Sequence, residues 1–82
     1  QTKLQEAIEV MSEAIKNNPD AAELYYRMVA YLFADGQHNE ALTFLETALS
    51  TDPEKHHILF EYLPHLHDNK IIIDVINRYM SE

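Results

Sequence analysis

Residues 41–53 read ALTFLETALSTDP, and residues 7–19 read AIEVMSEAIKNNP. Both stretches have alanine at their first and eighth positions, a large apolar residue at the fifth and proline at the thirteenth. The offset between them is 34 residues (41 − 7 = 34). Self-similarity at a fixed period of roughly 20 to 50 residues is typical of stacked repeat units. The pair therefore predicts a helical repeat rather than a fold built around a single core.

The first half of the chain predicts two helices joined by a tight turn. Apolar residues fall on one helical face over residues 4–15 and again over 21–34. Pro19 ends the first helix, and the carboxylate of Asp20 is expected to cap the second. Gly36 fits a left-handed cap at the end of the second helix, because glycine has no Cβ to oppose that conformation.

The second half predicts three more helices. One covers about 38–50, and the next covers about 54–67 and is bent near its end by Pro64. Residues 68–69, Asp-Asn, form a break and are expected to cap a fifth helix over 70–80. An isoleucine run at its start fits a strand by composition, but a lone strand would have no partner in this chain. The prediction is all-α.

These features resemble the tetratricopeptide repeat, in which two antiparallel helices with small and large residues at fixed places form one unit that proline closes. In the central unit the family positions fall on Tyr25, Met28, Val29, Leu32, Ala41, Leu45, Ala48 and Pro53. They fall on Ala7, Met11, Ala14 and Pro19 in a leading half-unit, and on Leu59, Tyr62, Leu63, Leu66, Val75 and Tyr79 in the last unit.

The resemblance implies helical hairpins stacked as a right-handed α-solenoid of about five helices. The expected organisation is a single domain over 1–82, with a half-repeat over 1–19, a complete repeat over 20–53 and a divergent repeat over 54–82. The chain begins with Gln1 rather than methionine, so we expect a fragment of a longer protein.

The chain departs from the family pattern at several places, most of them in the last unit. Val29 in the central unit and Leu63 in the last occupy the site of a small residue, which predicts wider helix spacing. Val75 stands where alanine is expected, and Lys70 where the earlier unit has glycine. Two readings stay open for this pair of helices: a tilted repeat, or a neighbouring helical-hairpin family. For the whole chain, an ordinary antiparallel helix bundle is the alternative.

Composition restricts the partners. The chain has 6 Lys and Arg against 14 Asp and Glu, for a net charge of −8. Nucleic acid and an anionic membrane surface are disfavoured, because binding to phosphates needs cationic side chains. No apolar run approaches the roughly 20 residues of a membrane span, so no membrane insertion is expected. The predicted partner is another protein or a peptide. The cytoplasm is slightly favoured as the location of this chain.

The family resemblance implies a concave groove lined by the first helix of each unit, which holds an extended peptide or a helix. The residues placed there by register are Glu23, Tyr26, Arg27, Ala30, Phe33, His57, Phe60, Glu61, Pro64 and His67. Three of these are aromatic residues that the repeat's internal packing does not require, so we expect them to be exposed and to supply affinity. The alternative is that a neighbouring helix covers them. A cationic clamp for a carboxylate is absent, since Arg27 is the only cation on this face.

Catalysis, a cofactor and a metal site are not expected. The chain has no cysteine and no glycine-rich phosphate loop, and none of its serines stands in a glycine-flanked turn. Among five histidines, His57 with Glu61 has the spacing of metal ligands on a helix, but two ligands are too few. These histidines are expected to be solvated or to line the groove, and the alternative is that they make binding depend on pH.

The leading half-repeat has a consequence of its own. Its helix lacks the partner that would cover one side, where Leu4, Ile8, Met11 and Ile15 lie. End units of a repeat stack need a polar outer face. We therefore expect self-association through this face or through the helix containing residues 71–76. A structural spacer within a larger solenoid is the alternative to a binding module.

Overall fold

The computed structural model describes residues 2–80, so residues 1, 81 and 82 of the predicted domain lie outside the described range. Within it the chain forms five α-helices and two 3₁₀ segments, and no strand. The α-helices are α1 Lys3–Asn17, α2 Ala22–Ala34, α3 His38–Thr51, α4 His57–Tyr62 and α5 Lys70–Met80. The first 3₁₀ segment is Pro53–His56 and the second is Pro64–Asp68. The all-α prediction is confirmed, including a helix at the isoleucine run.

The N-termini of the first two helices differ in how they are capped. Thr2 and Gln5 form a capping box, with the Thr2 side chain accepting from the Gln5 backbone N–H at 3.1 Å. No side chain caps α2, so the predicted cap by Asp20 is wrong. The N-cap position of α2 is occupied by Ala21. Asp20 stands one residue before that position, so it is not the residue whose side chain would cap the helix.

The turn between α2 and α3 is closed by Gly36. Its φ is +81°, in the left-handed region. The Gly36 N–H donates to the Phe33 carbonyl oxygen at 3.1 Å, and the Gln37 N–H donates to the Leu32 carbonyl oxygen at 2.9 Å. These two bonds satisfy carbonyl groups that the helix end leaves free, so the predicted left-handed cap is confirmed.

The hairpin of α2 and α3 is the centre of the molecule. Ala41 and Ala48 have no exposed surface, because α2 packs against this side of α3. Leu45, between them, is also fully buried, as are Met28 and Val29 on α2. α1 packs on one side of α2 and α4 on another. The described residues thus form a row of helices around one continuous core.

The helix predicted over 54–67 is broken rather than bent, which corrects the sequence prediction. α4 ends at Tyr62, and Leu63 has φ −134° and ψ 80°, outside the helical region. Pro64 explains the break, because its ring disfavours helical geometry at the preceding residue and its nitrogen has no hydrogen to donate. The chain resumes as a 3₁₀ turn.

The last pair of helices is more open than the central hairpin. Within residues 2–80, no Cα atom of α4 lies within 8 Å of one in α5, whereas α2 and α3 pack closely. α5 instead lies beside α3 and the two 3₁₀ segments. Its N-terminus is capped as predicted: the Asn69 side-chain oxygen accepts from the Ile72 N–H at 3.2 Å. Leu59, Leu66 and Ile72 fill the core of this unit.

Candidate interaction surface

Two of the residues assigned to the groove are buried. The exposed fraction of Tyr26 is 0%, so the expectation that it is exposed is wrong. Ala30, which the register places on the groove, is 2% exposed and does not line it. The Tyr26 hydroxyl donates to the backbone carbonyl oxygen of Asp52 at 2.8 Å. Burial, and then the negative charge of Asp52, raise the pKa of the Tyr26 hydroxyl. Tyr26 therefore belongs to the internal packing between α2 and the end of α3.

A cluster of charged and aromatic side chains lies between α2 and α4. Arg27 Nη2 donates to Glu23 Oε1 at 3.0 Å, and the guanidinium carbon of Arg27 lies 5.5 Å from the centre of the Tyr62 ring. The rings of Tyr31 and Tyr62 meet edge to face, with 6.5 Å between their centres. We call Glu23, Arg27, Tyr31 and Tyr62 the Arg27–Tyr62 cluster. It joins two neighbouring helices in a partly exposed arrangement.

A second cluster surrounds Phe60 on α4. The His67 ring stacks on the Phe60 ring, with 3.9 Å between centres, and the His56 ring meets Phe60 edge-on at 6.2 Å. His56 is held by its Nδ1, which lies 2.9 Å from the Pro53 carbonyl oxygen. Phe60 is half-buried and His67 is exposed. The break after α4 brings His67 back over Phe60.

The remaining predicted residues lie at separate places. His57 Nε2 is 3.8 Å from Glu61 Oε2, and both side chains are exposed. Phe33 is half-buried and stacks on His38 at the α2–α3 turn, with 4.9 Å between ring centres. Pro64 is exposed at the start of the second 3₁₀ segment. The structure thus brings Glu23 together with Arg27, His57 with Glu61, and Phe60 with His67.

Tyr31 and Tyr62 were missed by the sequence reasoning. The repeat register predicts that Tyr62 packs as Met28 does one unit earlier, but 41% of Tyr62 is exposed while Met28 is buried. The 34-residue register fails here because α4 is short and does not approach α5. The sequence did carry one signal for this contact. Arg27 lies on the first helix of one unit, and Tyr62 lies on the first helix of the next.

The chemical groups on this surface are aromatic rings, carboxylates, imidazoles and one guanidinium. Within residues 2–80, no three His, Cys, Asp or Glu side chains are grouped so as to hold a metal ion. None of the described helices has the length and apolar character needed to cross a membrane. The aromatic rings and the guanidinium provide flat contact area, cation–π attraction and hydrogen-bond donors.

Comparison with known proteins gives one finding. The family model described as "Tetratricopeptide repeat" matches residues 1–59. The match covers 59 of the 82 residues and ends inside α4, before the break at Leu63. Neither the curated proteins nor the solved structures gave a match.

Proposed function

The chain belongs to the tetratricopeptide repeat family, and from that premise we propose that it binds a peptide or helix of a partner protein on the surface formed by α2 and α4. The family is one of protein–protein interaction modules, and its repeats are typically non-catalytic scaffolds. The Arg27–Tyr62 cluster is the observation that carries the proposal. Tyrosine and arginine are the residue types that most often dominate binding energy at protein interfaces.

The geometry of the cluster favours binding because its side chains are already held in place. Glu23 fixes one edge of the Arg27 guanidinium, and the Tyr62 ring lies against its face. Side chains that are ordered before binding lose less conformational entropy when a partner arrives. The guanidinium has further N–H donors beyond the one that Glu23 accepts, and a partner's backbone carbonyl groups are suitable acceptors.

Side chains that lie apart from the Arg27–Tyr62 cluster are proposed as secondary contacts. We assign affinity to Phe60, with His67 stacked on it, and to Phe33 where the partner extends to the α2–α3 turn. The exposed pair His57 and Glu61 orients polar groups of the partner. Tyr26 and Ala30 are not part of the proposed surface, because both are buried.

The test is selection of binders from a displayed library of random peptides, followed by titration of the best binder against variants. We expect Arg27→Ala and Tyr62→Ala each to weaken binding about tenfold or more, as hot-spot residues do. Arg78→Ala is the matched control, since Arg78 is an exposed arginine on α5. The proposal is wrong if Arg27→Ala and Tyr62→Ala both bind the peptide as tightly as the wild type while circular dichroism shows that their helices are intact.

A structural role is the second candidate. Ile71 is 60% exposed and Met80 is 45% exposed, both on α5. An exposed large apolar residue on α5 is suited to packing against another helix. Sedimentation velocity of the wild type and of Ile71→Glu across a concentration series tests it. Association that Ile71→Glu abolishes, without any binder from the peptide library, favours this role.

A further inference from the structure

Two hydroxyl groups of the Arg27–Tyr62 cluster have no hydrogen-bond partner in the part of the chain that the structure describes. Within residues 2–80, the hydroxyls of Tyr31 and Tyr62 neither donate nor accept a hydrogen bond. The hydroxyl of Tyr26, by contrast, donates to a backbone carbonyl oxygen at 2.8 Å. Tyr31 is half-buried and Tyr62 is 41% exposed, so a ligand on this surface can supply the missing acceptors.

The free hydrogen-bonding groups of the cluster are mainly donors. The Arg27 guanidinium carries several N–H groups, and among the described residues Glu23 Oε1 is the only acceptor bound to it. The one carboxylate of the cluster, Glu23, is already paired with Arg27 at 3.0 Å. A ligand that complements the cluster is therefore rich in hydrogen-bond acceptors and poor in donors.

A proline-rich segment has this combination of groups. Proline has a carbonyl oxygen but no backbone N–H, and the polyproline II helix makes no internal hydrogen bonds, so its carbonyl groups remain available. An α-helix uses its carbonyl groups internally. An ordinary extended segment brings backbone N–H groups that need acceptors of their own. The donors of the cluster thus favour a polyproline II helix over the other two conformations.

The arrangement of the two tyrosine rings fits the same kind of ligand. The ring planes of Tyr31 and Tyr62 are inclined to each other at 65°. A polyproline II helix has about three residues per turn, so its adjacent faces are inclined at roughly 60°. The two rings can therefore contact two adjacent faces of such a helix. Aromatic side chains are the surfaces on which proline-rich segments dock.

On the premise that the α2–α4 surface is the binding surface of this chain, we propose that it binds a proline-rich segment in the polyproline II conformation, with a lysine or arginine beside it. Glu61 precedes Tyr62 on α4, and its side chain is 68% exposed. Within residues 2–80 its only ion-pair contact is His57 Nε2 at 3.8 Å, which has no charge unless the imidazole is protonated. The chain also carries a net charge of −8, so a cationic residue on the partner is attracted to this surface.

The probe is a fluorescent synthetic peptide of one arginine followed by about ten prolines, which extend over roughly 30 Å in this conformation. Its anisotropy is titrated with the 82-residue chain. We expect Tyr31→Phe and Tyr62→Phe each to weaken binding about fivefold, because each removes one hydrogen bond and keeps the ring. Glu61→Gln is expected to weaken binding about threefold, the size of an exposed ion pair.

Two controls are matched to these changes. The same peptide built from D-amino acids has the same composition and charge but the opposite helical hand, so we expect it to bind at least tenfold more weakly. Tyr79→Phe removes a hydroxyl from a half-buried tyrosine on α5 and is expected to leave the affinity within twofold of the wild type. Circular dichroism melting checks that each variant folds.

Three outcomes overturn the inference: no binding of the L-proline peptide at millimolar protein, equal binding of its mirror image, or an affinity that Tyr31→Phe and Tyr62→Phe both leave unchanged. Peptides selected from the random library separate this result from the wider proposal. Selected peptides without proline that Arg27→Ala and Tyr62→Ala weaken would support the α2–α4 surface, and with a failed proline peptide they would reject only the proline-rich partner. If neither the library nor the proline peptide gives binding, both proposals are wrong.

Discussion

The hydroxyl of Tyr26 donates a 2.8 Å hydrogen bond to the backbone carbonyl oxygen of Asp52, across 26 residues of sequence. Tyr26 lies in the middle of α2, and Asp52 lies between α3 and the first 3₁₀ segment. The side chain of Asp52 accepts from the Glu54 N–H at 3.2 Å and so caps that segment. The bond therefore links the central hairpin to the start of the last unit.

Tyr26→Phe is expected to lower the free energy of unfolding by about 1 kcal/mol, the typical net value of one hydrogen bond. The ring still fills its site, so the loss isolates the hydroxyl's bond to the Asp52 carbonyl oxygen, which keeps the Lys55 N–H as a second donor at 3.3 Å. Tyr26→Ala is expected to cost about 3 to 5 kcal/mol, because it also opens a cavity. Urea denaturation followed by circular dichroism measures both.

Tyr25→Phe is the matched control for this prediction. The Tyr25 hydroxyl donates to the Pro19 carbonyl oxygen at the same 2.8 Å, but that bond is exposed. Water replaces the lost partner there, so we expect a smaller loss of stability than for Tyr26→Phe. If the two variants lose the same amount of unfolding free energy, burial of the Tyr26 hydrogen bond does not increase its contribution to stability.

Stability is expected to fall above about pH 10 because of Tyr26. Burial, followed by the charge of Asp52, raises the pKa of this hydroxyl in the folded chain, while the unfolded chain ionises at the ordinary value of about 10. The stabilisation is fully present below pH 10 and is lost as pH rises above it, by about 1 kcal/mol at pH 11, because the unfolded chain then releases a proton that the folded chain retains. Tyr26→Phe lacks this titration, so its unfolding free energy should fall less between pH 8 and pH 11. Parallel pH curves for the two proteins would refute the assignment.

The fold was predictable from the sequence where local signals agreed with one another. The spacing of Ala41, Leu45 and Ala48, together with the turn at Gly36, indicates the hairpin of α2 and α3. The broken helix was harder to predict, because proline within a helical pattern indicates either a bend or a break. Pro64 disrupts the helix in either case, and periodicity does not say whether the chain continues as a bent helix or resumes as the 3₁₀ segment that lies beside α5.

The candidate surface was less predictable than the fold. Family register placed Tyr26 on the groove, but a tyrosine has an apolar ring and a hydroxyl that finds a backbone acceptor when buried. That acceptor, the Asp52 carbonyl oxygen, becomes a neighbour only in the folded chain. For Tyr62 the error was the reverse: it was predicted to pack in the core but is partly exposed. The reason is that α4 and α5 do not pack against each other.

Gly36→Ala is expected to destabilise the chain by about 1 to 2 kcal/mol. No atom lies within 4 Å of an added Cβ, so steric contact with neighbours contributes nothing. The loss comes from φ +81°, which is unfavourable for a residue with a side chain. Gly36→Asn serves as the comparison because asparagine tolerates this region better, and thermal melting should rank the wild type first, asparagine second and alanine last. Alanine that melts with the wild type would contradict the left-handed cap.

Arg27 and Tyr62 are expected to be energetically coupled in the free chain, before any partner binds. A guanidinium against a partly exposed aromatic ring contributes about 0.5 to 1 kcal/mol. The 5.5 Å separation falls within the range of this interaction. A double-mutant cycle with Arg27→Ala, Tyr62→Ala and the double variant measures the coupling through unfolding free energies.

The matched cycle replaces Glu23 instead of Tyr62, since Glu23 pairs with the same guanidinium at 3.0 Å through an exposed ion pair. That coupling should decrease in 1 M salt, because mobile ions screen exposed charges. The coupling with Tyr62 should change less, since part of it is contact between the ring and the flat guanidinium. Additive effects of Arg27→Ala and Tyr62→Ala would mean that the two side chains act independently, and the preorganised cluster on which the α2–α4 surface depends would have no energetic basis.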